Sequence, residues 1–295
     1  MLPLAQWIMR GRYQALAFVV IALATSPWLW PNSILAAAAI GLIWLRHGSK
    51  EGLFTCIWAL LPAAVIILYM GNFMPLLMIA TAAVSSQVLR TTRSWPYGLI
   101  ALSACGLVTA VGLEVFAQAS MQVYVDLYSK FLDELKQQIP DQEVGQLLTA
   151  TIDTAFVAGL FGTMLMMAGF ISLALARSWQ AKLYNPGGFQ QEFHQLRLGR
   201  IDIVIAVMLT IVFYQMGMQY LTWVWIALFP LFIAGVALFH AIAKSKNLAI
   251  QWYILFYCVL AFWDPLKIVL VLVTMVDSII NIRSKLPKRD TDTER

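Results

Sequence analysis

Residues 150–176 read ATIDTAFVAGLFGTMLMMAGFISLALA and continue directly into 177–200, RSWQAKLYNPGGFQQEFHQLRLGR. Asp153 is the only charged residue in the first stretch, which exceeds the roughly 20 apolar residues that a helix needs to cross a hydrocarbon core. The second stretch abruptly changes character to cationic heads and aromatic rings, the mark of a chain leaving the bilayer.

Working outward, nine more apolar segments appear at about 13–30, 33–46, 53–70, 74–89, 97–118, 201–220, 222–242, 249–262 and 264–282. Segments 33–46, 74–89 and 249–262 are short for a perpendicular span, so each is read as tilted, partly buried or re-entrant. The expectation is an all-α polytopic membrane protein with 8 to 10 transmembrane segments, forming one integral membrane domain over 1–295. Composition agrees. Of the 295 residues 61% are hydrophobic and 12% charged, and the mean hydropathy is +0.76; a soluble domain carries roughly a quarter charged residues. Nucleic-acid-binding domains, disulfide-stapled secreted domains and ordinary soluble enzymes are excluded. The first run ends at Pro27 and an equally apolar one follows at once, so it is read as part of the membrane domain and not as a cleaved signal.

The sidedness of the +5 net charge carries more information than its sum. With ten crossings and the N-terminus in the cytoplasm, every Lys and Arg except Lys130, Lys136 and Lys267 falls on the cytoplasmic side. Both termini are then cytoplasmic, as is the tail 284–295. This arrangement requires Trp263-Asp264-Pro265 to be a hairpin turn, with Asp264 as N-cap of the returning helix.

Two connections are long enough to be structured. The outer one, 119–149, spaces Met121, Tyr124, Tyr128, Phe131, Leu135 and Ile139 helically between charged residues, which predicts an amphipathic surface helix ended by Pro140-Asp141. The inner one, 177–200, carries the turn Asn185-Pro186-Gly187-Gly188 flanked by Trp179, Tyr184, Phe189 and Phe193 among Arg177, Lys182, Arg197 and Arg200. It predicts a cytoplasmic interfacial helix-turn-helix for anionic lipid or a cytoplasmic protein partner. Trp179, Tyr184 and Phe189 are its anchors, and Arg197 and Arg200 its charge contacts.

The chain resembles the YybS-like family of bacterial polytopic membrane proteins, a family of unknown function. The resemblance rests on Leu45-Arg46-His47-Gly48 with Gly52, on Trp179-Gln180 through Tyr184-Asn185-Pro186-Gly187-Gly188-Phe189 with Glu192-Phe193 and Leu196-Arg197, and on Asp277 to Asn281 with Arg283. It implies residence in the bacterial cytoplasmic membrane. That family in turn distantly resembles the substrate-binding S components of energy-coupling-factor transporters, which dock a coupling subunit through an Ala-x-x-x-Ala patch on the first helix. Here only Ala22 and Ser26 stand at that spacing.

Ionisable residues at membrane depth are candidate sites by default. Glu114, Asp153, Asp264 and Lys267 are the candidate outer solute site, for a polar or cationic small molecule; the competing reading places all four at headgroup level. Asp202, His240 and Asp277 form an inner set, in which Asp277 is expected to need a partner from another helix. Ala155 with Gly159 and Ala158 with Gly162 allow close helix approach, within the chain or across a homodimer seam. Cys56, Cys105 and Cys258 read as small apolar residues. The histidines do not cluster, and no nucleophile, metal or phosphate-binding motif is present, so no metal, cofactor or catalytic residue is expected. The leading function is transporter-like binding or uptake of a small solute from the outer side. The alternative is a non-transporting membrane scaffold or regulator that recruits a cytoplasmic partner through 177–200. An intramembrane enzyme acting on lipid is the third reading. Membrane lipid is a partner in each, and nucleic acid in none.

Overall fold

A computed structural model describes residues 2–138 and 152–285. Among these it contains thirteen α-helices and no strand. They are α1 (Leu2–Ile8), α2 (Arg12–Thr25), α3 (Pro31–His47), α4 (Ser49–Met70), α5 (Met74–Thr92), α6 (Trp95–Phe116), α7 (Gln118–Gln138), α8 (Thr154–Tyr184), α9 (Gly188–Gln195), α10 (Arg200–Met216), α11 (Leu221–Ser245), α12 (Ile250–Phe262) and α13 (Pro265–Ile280). Short 3₁₀ turns, Met218–Tyr220 and Ile282–Lys285, precede α11 and follow α13. Prolines 31, 75, 96 and 265 stand in the first turns of their helices, where their missing N–H costs nothing.

Each of the ten apolar segments contains a helix, but among the described residues fewer helices than expected are long and apolar enough to cross a membrane. Four helices are long and apolar enough to cross: α4, α6, α8 and α11 with its preceding turn. The number rises to six if the bent pairs α1–α2 and α12–α13 each count as one broken span. Chain geometry explains the correction from 8 to 10. The 17 residues of α3 reach only about 25 Å, and from Ala36 to Leu45 every residue is buried, so α3 is a core helix hidden on all sides. The 13 residues of α12 reach only about 20 Å. At Trp263-Asp264 the chain bends by 112°, a sharp corner that falls short of the antiparallel hairpin expected there. Asp264 holds the N-cap position of α13 without capping it; its carboxylate pairs with Lys267 instead.

The longest helix, α8, is the axis of the bundle and packs against α3, α5, α6 and α11. Its small residues are consumed inside the chain, which decides between the two readings of that stripe. A Cβ at Gly162 would lie 2.5 Å from the Gly106 carbonyl oxygen on α6, and Gly159 faces Thr222 and Trp223 of α11. Close approach of this kind supplies the dispersion contacts that hold helices together in lipid. Trp223 then donates to the Ala155 carbonyl at 2.8 Å, and Thr222 to that of Phe156 at 3.0 Å.

The outer amphipathic segment is a helix, as expected, over Gln118–Gln138, but its buried stripe is Met121, Val125 and Leu132, while Tyr128 and Phe131 point outward. Tyr124 packs edge-on against Phe161 of α8 at 5.0 Å. Ile139, the Pro140-Asp141 break and the tail from 286 onward lie outside the described residues. Of the cysteines, Cys56 is buried, Cys105 partly so and Cys258 exposed, so the last faces outward from the core.

Candidate functional site

The four residues expected to form an outer solute site fall into two pairs, Glu114 with Asp153 around the Tyr220 hydroxyl and Asp264 with Lys267. Glu114, near the end of α6, accepts a hydrogen bond from the Tyr220 hydroxyl at 2.7 Å. Asp153 caps α8, accepting from the Phe156 N–H at 2.9 Å, which satisfies one of the helix's orphan donors. The Asp264–Lys267 pair sits apart from them on the α12–α13 corner, with the Asp264 side chain 81% exposed. Each carboxylate is engaged in a local structural contact. Among the described residues no three His, Cys, Asp or Glu side chains come together in a geometry suited to a metal ion.

The 177–200 segment departs further from its expected role. Trp179 is 1% exposed in the core, so it cannot anchor the segment at a lipid surface; the helical run simply continues through it, because α8 extends to Tyr184. Gly187 takes a positive φ of 84°, the left-handed conformation that the Asn185-Pro186-Gly187-Gly188 turn was expected to need. The following α9 folds back against α8 and α11. Glu192 forms an ion pair with Arg177 and accepts from the Trp95 indole N–H at 3.2 Å. Phe189 packs on Trp95 and Phe193, and Phe193 on His240. Tyr184 is half-exposed beneath the Arg46 guanidinium, 3.9 Å from ring centroid to Cζ, a cation–π contact. Of the expected charge contacts, Arg197 is spent on backbone: it donates to the Asp277 and Ser278 carbonyls at 3.2 and 2.7 Å. Arg200 alone stays exposed at the start of α10.

These bonds tie the helix ends into a basic network. Arg90 donates to the Trp44 and Leu45 carbonyls at the end of α3, and Gln180 also reaches Leu45. The 1%-exposed Asp277 has an unexpected partner. Because α13 ends at Ile280 and Asn281 turns left-handed (φ 54°), the chain doubles back, and Arg283 Nη1 meets Asp277 Oδ2 at 2.8 Å. Asp277 Oδ1 accepts from the Ile282 N–H at 2.8 Å, and Arg283 Nη2 donates to the Ala234 carbonyl of α11 at 3.0 Å. Burial pushes the Arg283 guanidinium below its ordinary range, Asp277 opposes that, and neighbouring Arg197 adds to it. His194 on α9 is pushed down to about 4, first by burial and then by the positive charges of Lys244, His240 and Arg283.

A large, partly open apolar cavity lies toward the opposite ends of these helices. With a volume of about 550 Å³, it opens between the end of α2, the starts of α3 and α5, and the middle of α8. Its floor is formed by Ile34, Met78 and Leu165 and its rim by Trp30, Asn72 and Met164. Met74 and Met167 complete a lining in which methionines come from two helices, at four- and three-residue spacing. No charged side chain lines it. Ser26, Ser33 and Asn72 are the polar groups; the Asn72 carbonyl oxygen is held by the Met74 N–H at 2.9 Å, which leaves its amide nitrogen to donate. The sequence reading passed over these residues because uncharged side chains raise no alarm in an apolar run. The paired methionine spacing was the available signal.

No family model matches the chain, and no curated protein or solved structure matches it.

Proposed function

We propose that this is a multi-pass protein of the bacterial cytoplasmic membrane that binds a small, uncharged, mainly apolar solute from the side opposite its arginines. The basic network marks the cytoplasmic side, by the rule that Lys and Arg stay inside, and both termini lie there. The 550 Å³ cavity between α2, α3, α5 and α8 is the observation that carries the reading. Pockets of this size with an apolar lining and a few placed polar groups are what small-molecule binders present. Flexible thioethers adapt to a ligand's shape, and Asn72 supplies one directional hydrogen bond.

This moves the solute site away from Glu114, Asp153, Asp264 and Lys267 and changes its chemistry from polar or cationic to neutral. The resemblance to the YybS-like family and to S components accords with a membrane solute binder. Recruitment of a cytoplasmic partner through 177–200 finds less support, since Trp179, Glu192, Phe193 and Arg197 are all committed within the chain.

Native mass spectrometry of the protein released from its own membranes tests the reading. A non-lipid adduct is expected on the unmodified chain and on Glu114→Gln, and it should be missing from Ala168→Trp, which fills the cavity. An adduct that survives Ala168→Trp, or no adduct at all, overturns it. A gentle pull-down that returns a coupling subunit and an ATPase would extend the function to energised uptake.

A further inference from the structure

A second cavity, of about 350 Å³, lies at the basic end, in the elbow where α1 meets α2 at 118° and where α3 ends and α4 begins. Its two halves differ in chemistry. Ile8, Leu16, Ile43 and Phe54 form an apolar wall, and Arg10, Arg12, His47 and Glu51 a polar one. Arg12 is fixed in place: it pairs with Glu51, and its guanidinium sits 5.8 Å above the Phe54 ring. Its side chain is nonetheless 67% exposed, so of its five N–H donors most remain available. Arg10 is exposed and has no partner among the described residues. With Arg12 and Glu51 cancelling, Arg10 leaves the cavity with an uncompensated positive charge.

A wholly apolar ligand would leave these donors unmatched, and a free anion would leave the apolar wall unfilled. A molecule with a single negative charge next to an aliphatic stem satisfies both. We propose that the elbow is a binding site for an anionic glycerophospholipid. Its phosphodiester is held by Arg10 and the free face of Arg12, and its glycerol and first acyl carbons lie along Ile8, Leu16 and Phe54. Guanidinium suits this task, since its planar fork matches two phosphate oxygens at once. The site is separate from the solute cavity and shares no lining residue with it.

The test uses the full-length protein in a mild detergent, with added dioleoyl phosphatidylglycerol, dioleoyl phosphatidylcholine or inorganic phosphate as probes. Native mass spectra should show one retained phosphatidylglycerol per chain, with about tenfold weaker retention of phosphatidylcholine. Inorganic phosphate at equal concentration should not displace the lipid. Arg10→Gln should weaken phosphatidylglycerol retention about tenfold. Leu16→Trp, which fills the apolar half and leaves both arginines, should weaken it as well. Arg93→Gln removes another exposed arginine and should leave retention unchanged, which separates a built site from general attraction to a basic surface. Equal retention of the two lipids, displacement by phosphate alone, or equal losses in Arg10→Gln and Arg93→Gln would each overturn the proposal. None of these outcomes bears on the Ala168→Trp result, so the two sites stand or fall separately.

Discussion

Replacing Gly162 with Ala puts the packing of the central helix to its sharpest test. An added Cβ would lie 2.5 Å from the Gly106 carbonyl oxygen, about an ångström short of ordinary van der Waals contact. Ala110 and Ile226 close the same space at 3.1 Å, so α8 cannot slide away without pressing on α6 or α11. The obstructing atom is backbone and cannot change rotamer. Overpacking of this kind costs about 1–3 kcal/mol, against which Gly→Ala in a helix returns roughly 0.5–1 kcal/mol. Gly112, further along the same helix α6, provides the control, since nothing lies within 4 Å of a Cβ built there. Gly112→Ala keeps the propensity gain and adds no clash. The propensity gain cancels between them, so the two variants are expected to differ by the overpacking cost of about 1–3 kcal/mol, or roughly 2–5 °C in melting temperature for a chain of this size. Fluorescence-detected size exclusion after graded heating reads this out directly. If Gly162→Ala melts together with Gly112→Ala, α6 and α8 do not touch at this crossing, and the assignment of the small-residue stripe to packing within the chain fails.

Asp277→Asn should destabilise the protein by about 3–5 kcal/mol, because it leaves the Arg283 guanidinium, 11% exposed, without its counter-charge; Asp277→Asn combined with Arg283→Met should recover much of that loss in a double-mutant cycle. His194, with an ordinary value of 6.5 and a folded value of about 4, binds its proton more readily in the unfolded chain. Stability is then fully present above pH 6.5 and declines as the pH falls toward 4, and melting curves of His194→Gln should lose that part of the slope. Asp153→Ala removes the α8 cap and should cost about 1 kcal/mol in chemical denaturation, with Asp153→Asn or Ser nearly neutral.

Local signals were legible in the sequence, and distances between segments were not. The run 150–176 announced a long apolar helix, Asn185 to Gly188 announced a turn, and the structure contains both. Hydropathy alone could not say that α3 is short because it is buried on every side, or that α5 carries Thr81, Ser85 and Ser86 into the core. The Ser85 hydroxyl is satisfied there by donating back to the Thr81 carbonyl at 2.6 Å, whereas the buried Ser86 hydroxyl has no partner among the described residues. The Asp277–Arg283 pair was missed for a similar reason. Helical spacing rules it out, and only the left-handed Asn281 folds the chain so that residues six apart can meet. The neutral cavity left only the Met74/Met78 and Met164/Met167 spacing as a signal, because Met, Trp and Asn are ordinary in an apolar run until four separate helices bring them together.

The arginines have two separable roles. By composition they report which side of a membrane the helix ends face, and any exposed cation would serve for that. By geometry Arg90 and Arg197 donate to carbonyls in the last turns of other helices, at Trp44, Asp277 and Ser278, and Arg283 donates to the Ala234 carbonyl in the body of α11. The Trp44 and Asp277 carbonyls also accept from the Gly48 and Asn281 N–H groups that close their helices, and a cation in the last turn meets the negative end of the helix dipole. Lys presents a point charge in place of a planar fork. Arg197→Lys thus keeps the charge and the sidedness but loses one of the two bonds to Asp277 and Ser278, whereas Arg93→Gln changes the charge count and touches no such bond. A drop in thermal stability for Arg197→Lys but not for Arg93→Gln separates stitching from sidedness; equal drops, or none, would reduce the basic end to its electrostatics.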